Sequence, residues 1–192
     1  MSGPEVHFRF LHASDLHLGA HQHRSRERAQ DQLFALKQIL HTAISHKVEF
    51  VLWGGDVFDS YDIVPKLFLQ ITKILQRFHE VTNKSIPIVA VEGNHDLRRF
   101  NRTKAFYQRQ SWLEVLASMD LVTLLRSNPV PVGPGNEESR VFAPYDPIKK
   151  EGSIFETKNA IITGLTYQRR DMAKKLPAVV KVLNKIKRKG KF

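Results

Sequence analysis

Phe50-Val51-Leu52-Trp53-Gly54-Gly55-Asp56 is the stretch on which the fold turns. Four apolar residues in a row read as a short strand buried on both faces, and the two glycines after them allow a sharp turn that presents a carboxylate. Two other stretches repeat the theme. Residues 7–14, with Phe8, Phe10 and His12 alternating against the other positions, read as a strand that ends in Asp15-Leu16-His17. Residues 86–91 read as a third, buried strand, followed by Gly93-Asn94-His95-Asp96. Helices fall between them. Leu33, Leu36, Ile39, Leu40 and Ile44 recur at helical spacing over residues 28–47, and a second amphipathic helix covers 64–78, with Pro65 tolerated in its first turn. Further on, the pattern predicts a helix over 111–119, a strand over 121–125, a loop over 128–138, a strand over 159–164 and a basic helix over 169–189. Strands alternating with helices predict an α/β fold with a largely parallel sheet.

Composition narrows the function classes. A chain of 192 residues fits one domain, and 42% hydrophobic with 9% aromatic residues suits an ordinary globular core. Cysteine is absent, which excludes disulfides and thiolate metal sites and fits a cytoplasmic protein, or a nuclear one in a eukaryote. The first residues do not form a signal peptide, and no run approaches the ~18 apolar residues of a membrane span. No membrane partner is therefore expected. Thirty Lys+Arg against nineteen Asp+Glu give a net charge of +11, and the sequence pI is about 10.0. That balance fits a polyanion such as DNA as partner, against the blander reading of a basic, soluble surface.

The three strand ends carry the chemistry. In an open α/β sheet, ligands bind beyond the carboxyl ends of the strands. If the three strands are neighbours, Asp15, His17, Asp56, Asn94 and His95 converge on one patch. Carboxylate, imidazole and amide oxygen together suit Mn²⁺, Fe²⁺ or Zn²⁺. A lone Asp-x-His usually marks nothing more than a turn, and a lone Gly-Asp says less. All three motifs in this order, each closing an apolar strand, are hard to obtain by chance.

Asp15-x-His17, Gly55-Asp56 and Gly93-Asn94-His95-Asp96 resemble the first three motifs of the calcineurin-like metallophosphoesterases. Within that superfamily, Asp15-Leu16-His17-Leu18-Gly19 and Gly55-Asp56-Val57-Phe58-Asp59 look most like the SbcD/Mre-type exonucleases, the nuclease subunits that act on DNA double-strand breaks with an SMC-like ATPase. The protein phosphatases of the superfamily would show Asp-x-His-Gly and an Asp-Arg-Gly after the second motif; neither is present. Arg28-x-x-Asp31, Ser111-Trp112-Leu113 and Gly164-Leu165-Thr166-Tyr167 extend the likeness over nearly the whole chain. The resemblance implies an αββα sandwich of two sheets flanked by helices, and two divalent ions, manganese foremost. It assigns Asp15 and His17 to the first ion, Asp56 to both and Asn94 to the second. His95 would face the scissile phosphate, with Asp96 orienting it. A homodimer and the ATPase partner are further implications of the resemblance.

The family completes its ligand set with a histidine on a later strand and a Gly-His-x-His motif. This chain has no histidine after His95. The resemblance therefore implies the N-terminal portion of the domain, incomplete at its C-terminus and defective as a nuclease. Other residues invite weaker readings. Residues 97–113 carry Arg98, Arg99, Arg102, Lys104 and Arg109 with no acid, interleaved with Phe100, Phe106, Tyr107 and Trp112. The first four cations are read as contacts to a DNA backbone, against solvated arginines and core aromatics. His21 and His23 are read as loop residues, and His41, His46 and His79 as solvated. Two rival functions stay open: a phosphoesterase acting on small nucleotides or phosphoproteins, and a truncated, non-catalytic DNA-binding or assembly module.

Overall fold

The computed structural model describes residues 8–20, 26–60, 62–97, 111–127, 141–167, 172–186 and 191–192. Arg98, Arg99, Arg102 and Lys104 lie outside the described residues, as do His21, His23 and the loop read at 128–138. The chain divides into two compact units, residues 9–124 on one side and residues 1–8 with 125–192 on the other.

The larger unit is a parallel sheet and its helices. Strands β1 (Phe10–Ala13), β2 (Phe50–Trp53), β3 (Ile88–Ala90) and β4 (Thr123–Leu124) lie in the order β1-β2-β3-β4, every pairing parallel. Helices α1 (Arg26–Ser45), α2 (Pro65–Val81) and α3 (Trp112–Ser118) make the crossovers. The three motif-bearing strands are therefore consecutive neighbours with their carboxyl ends on one side. Register explains the core: Leu11, Val51 and Ile88 lie side by side, and one step along so do Ala13, Trp53, Ala90 and Leu124. That face packs against Leu33, Leu36, Leu40 and Ala43 of α1, Leu67, Ile71, Leu75 and Phe78 of α2, and Leu113, Leu116 and Ala117 of α3. The α1 and α2 sets recur every three or four residues, and in α3 Leu116 and Ala117 lie three and four residues after Leu113, the stripe of a helix that buries one side. At ~25 cal/mol per Å² of apolar area removed from water, this cluster is the main stabilising feature of the unit.

The helices stop where the sequence lets the backbone turn left-handed. Lys47, Asn83, Lys84 and Asp120 all have φ between 49° and 58°, and the amides of Val48, Lys84 and Leu121 reach back to Ala43, His79 and Leu116. These bonds satisfy carbonyls that a helix end otherwise leaves without a partner. His79 corrects the reading of it as solvated. It is 8% exposed, with Nε2 2.9 Å from the Leu121 carbonyl oxygen. It stands one turn after the fully buried Leu75, on the flank of the same stripe. Trp112 packs on Phe68, ring centroids 4.7 Å apart, which favours the core reading of that aromatic.

The smaller unit holds an antiparallel pair, β5 (Ile154–Glu156) and β6 (Ile161–Thr163), and helix α4 (Met172–Leu183). Val141, Phe142, Val179 and Val182 form its core. The chain is thus an α/β fold with two sheets and accompanying helices. β5 has no counterpart in the sequence reading.

Candidate metal centre

Two loops hold the first two motifs together like an extension of the sheet. Beyond β1 and β2, the amides of Asp15, His17 and Leu18 donate to the carbonyls of Gly55, Asp56 and Val57 at 3.0, 3.0 and 2.8 Å, and the Asp59 amide returns to Leu18 at 3.2 Å. Leu18, Val57 and Phe58 are each no more than 1% exposed. These three apolar side chains pin the ladder to the core while the polar residues between them turn outward. Asp15, His17 and Asp56 have φ of 55°, 43° and 50°. Left-handed backbone costs roughly 1–2 kcal/mol at a residue with a Cβ, and such outliers cluster at functional sites.

The third motif locks on through Asp56 and Asp96. The His95 amide donates to Asp56 Oδ1 at 2.8 Å. Gly93 lies so near that a Cβ on it would stand 2.1 Å from Asp56 Oδ1. Asp96 is buried, and its carboxylate accepts from the amides of Phe58 (2.9 Å), Gly93 (2.9 Å) and Val57 (3.4 Å). Burial pushes its carboxyl above the ordinary aspartate range, opposed by those three amides, with Asp56 adding to the rise. The atom against His95 Nδ1 is the carbonyl oxygen of Asp59, at 2.8 Å, while Asp96 braces the turns of the second and third motifs against each other.

Donor atoms converge as a cation requires. One group, Asp15, His17 and Asp56, offers ligand atoms all within 4.8 Å of one another; a second, His17, Asp59 and His95, does the same. His17 Nε2 lies 3.9 Å from Asp15 Oδ1, and its Nδ1 lies 3.1 Å from Asp59 Oδ1. The His17 and His95 rings meet edge to face at 4.9 Å. Oxygen and imidazole donors, partly exposed and preset by left-handed turns, fit a divalent transition ion or Mg²⁺. Asn94, between Gly93 and His95 in the third motif, is half-buried. Asp59 is the site residue that sequence reasoning missed. It lies within the second motif, but nothing in its spacing shows that it faces two histidines.

The model of the calcineurin-like phosphoesterase family matches residues 8–185. A DNA double-strand break repair protein Mre11 from Methanosarcina acetivorans is 32% identical over 125 residues, 65% of this chain and 18% of that protein. One from Archaeoglobus fulgidus is 33% identical over 122 residues, covering 64% and 26%, and one from Haloferax volcanii is 26% identical over 156 residues, covering 76% and 33%. The chain thus spans about a fifth to a third of the length of these curated relatives. No helix among the described residues is long and apolar enough to cross a membrane. Three sheet-end motifs drawn into one donor cluster, and a family match over nearly the full length, place this chain in the calcineurin-like phosphoesterase family.

Proposed function

We propose that the chain is the N-terminal part of a metal-dependent DNA nuclease domain that hydrolyses phosphodiesters during double-strand-break repair. The observation that carries this is the convergence of Asp15, His17 and Asp56 within 4.8 Å at the ends of two adjacent parallel strands. The repair proteins it resembles and the charge of +11 support DNA as the substrate. Asp15 and His17 hold one divalent ion, Asp56 reaches both, and Asn94 holds the second; manganese is the proposed ion. Such ions, when bound, would supply Lewis acidity toward the phosphodiester. His95 faces the phosphate. A carbonyl oxygen only accepts, so the bond to Asp59 keeps the His95 proton on Nδ1 and makes Nε2 the nitrogen that exchanges a proton with the reacting oxygen. Asp96 acts through the turn it braces. Arg98, Arg99, Arg102 and Lys104, which follow directly in sequence, contact the DNA backbone. The domain is incomplete within these residues, and a second copy and an SMC-like ATPase are its proposed partners.

The test is metal binding. Asp56→Ala abolishes Mn²⁺ binding in calorimetry, because Asp56 alone touches both ions, whereas replacing the exposed His41 with Ala leaves it unchanged. Circular dichroism confirms that both variants fold. Equal Mn²⁺ affinity in the two variants overturns the metal assignment.

A further inference from the structure

Asp59 presents two acceptors to two different histidines. Its Oδ1 lies 3.1 Å from Nδ1 of His17, and its main-chain oxygen lies 2.8 Å from Nδ1 of His95. Neither a carboxylate nor a carbonyl can donate, so each contact requires the imidazole to carry its hydrogen on Nδ1. The consequence differs between the rings. On His17 it leaves the lone pair on Nε2, the nitrogen on the Asp15 side of the cluster. The opposite tautomer would aim a hydrogen into the group of donor atoms formed by Asp15, His17 and Asp56. On His95 it reserves Nε2 for proton exchange.

Asp59 is itself held firmly. Its amide donates to Leu18, and the preceding residue, Phe58, is 1% exposed and donates its amide to the buried Asp96. Such outer partners of a metal-binding imidazole fix its tautomer and raise its basicity. We propose that Asp59 is the positioning residue of this site, its carboxylate setting the tautomer of His17 and its carbonyl setting that of His95. The functional consequence rests on the reading above that His17 holds a metal; the tautomers themselves do not.

The experiment therefore separates the two. Long-range ¹H–¹⁵N correlation spectra of the metal-free chain, taken at alkaline pH, report the tautomer of each histidine. In the unsubstituted chain both His17 and His95 carry the Nδ1 hydrogen. In Asp59→Ala, His17 passes to the Nε2–H form that unconstrained imidazole favours, while His95 keeps its tautomer because its acceptor is main chain. Mn²⁺ affinity falls about 10–100-fold in the same variant. Asp59→Asn, whose amide oxygen still accepts, restores the His17 tautomer and most of the affinity. Asp59 is half-exposed, and thermal unfolding shows the variants to be folded. An unchanged His17 tautomer in Asp59→Ala overturns the proposal. So does an Asp59→Asn chain that keeps the tautomer yet binds Mn²⁺ as poorly as Asp59→Ala, because that pattern makes Asp59 a ligand. If the tautomers behave as stated and the unsubstituted chain binds no Mn²⁺, the positioning role stands and the metal reading fails.

Discussion

At the scale of single residues, the site depends on a position that carries no side chain. Gly93 gives Asp56 its place: a methyl group there would lie 2.1 Å from the carboxylate oxygen and 2.5 Å from the Asp56 amide nitrogen. Backbone cannot yield as a flexible side chain would, so Gly93→Ala must move the Asp56 turn. The expected outcome is a loss of ~1–3 kcal/mol in stability, the usual cost of overpacking, with Mn²⁺ binding lost as well. Urea unfolding and calorimetry check the two parts, and a variant that keeps wild-type metal affinity contradicts the close approach. Asp15, His17, Asp56 and His95 were legible in sequence because each follows the end of a strand by no more than five residues. The left-handed backbone of Asp15 and His17 was not, since neither is a glycine and φ leaves no mark on composition. Asp59 escaped for a related reason: half of its action runs through a carbonyl, which every residue possesses.

At the scale of elements, legibility followed amphipathic strength. The helices α1 and α2 and the strands β2 and β3 were read within a few residues of their ends, because each carries a long stripe or an unbroken apolar run. β5 has three residues, none fully buried, and so offers no apolar run to read. α3 starts at a capping serine, Ser111. Ser111 Oγ accepts from the Glu114 amide at 3.2 Å and donates to Oε1 of Glu92, a buried carboxylate one residue before Gly93. One hydroxyl thus starts a helix and ties it to the strand that delivers His95. Ser111→Ala should cost about 1–2 kcal/mol through the cap, with a further loss from the donor withdrawn from Glu92. Ser111→Thr, which keeps the hydroxyl, should recover most of it. Chemical denaturation measures both; a neutral Ser111→Ala shows that the helix starts without its cap. In the smaller unit the Asp146 carboxylate accepts from the amides of Ile148 and Lys149, and those two bonds hold its carboxyl below the ordinary aspartate range. Any stability this lends is present above that range and fades as pH falls through the lowered value.

At the scale of the whole molecule, the proposed ligand set is uneven between the two ions. Of the proposed ligands, Asp15, His17 and Asp56 serve one ion, while Asp56 and Asn94 alone serve the other, and no histidine follows His95. Residues 1–192 by themselves are therefore expected to cleave DNA far more slowly than a chain extended through a Gly-His-x-His segment, since two-metal hydrolysis needs both ions fixed. The comparison uses linear duplex and single-stranded DNA with Mn²⁺; equal turnover by the two chains means these residues supply every ligand the reaction needs. The paired loops at residues 15–18 and 55–59 carry a last consequence, for insertions and deletions. Because their amides and carbonyls pair in order, with Leu16 the one residue passed over between Asp15 and His17, the count of residues from each strand to its ligand is fixed much as sheet register is. One residue gained or lost between Ala13 and Leu18, or between Trp53 and Phe58, would point the acids away from one another. Conservative side-chain replacements in these loops are gentler than a change of length, which loops on a protein surface ordinarily tolerate.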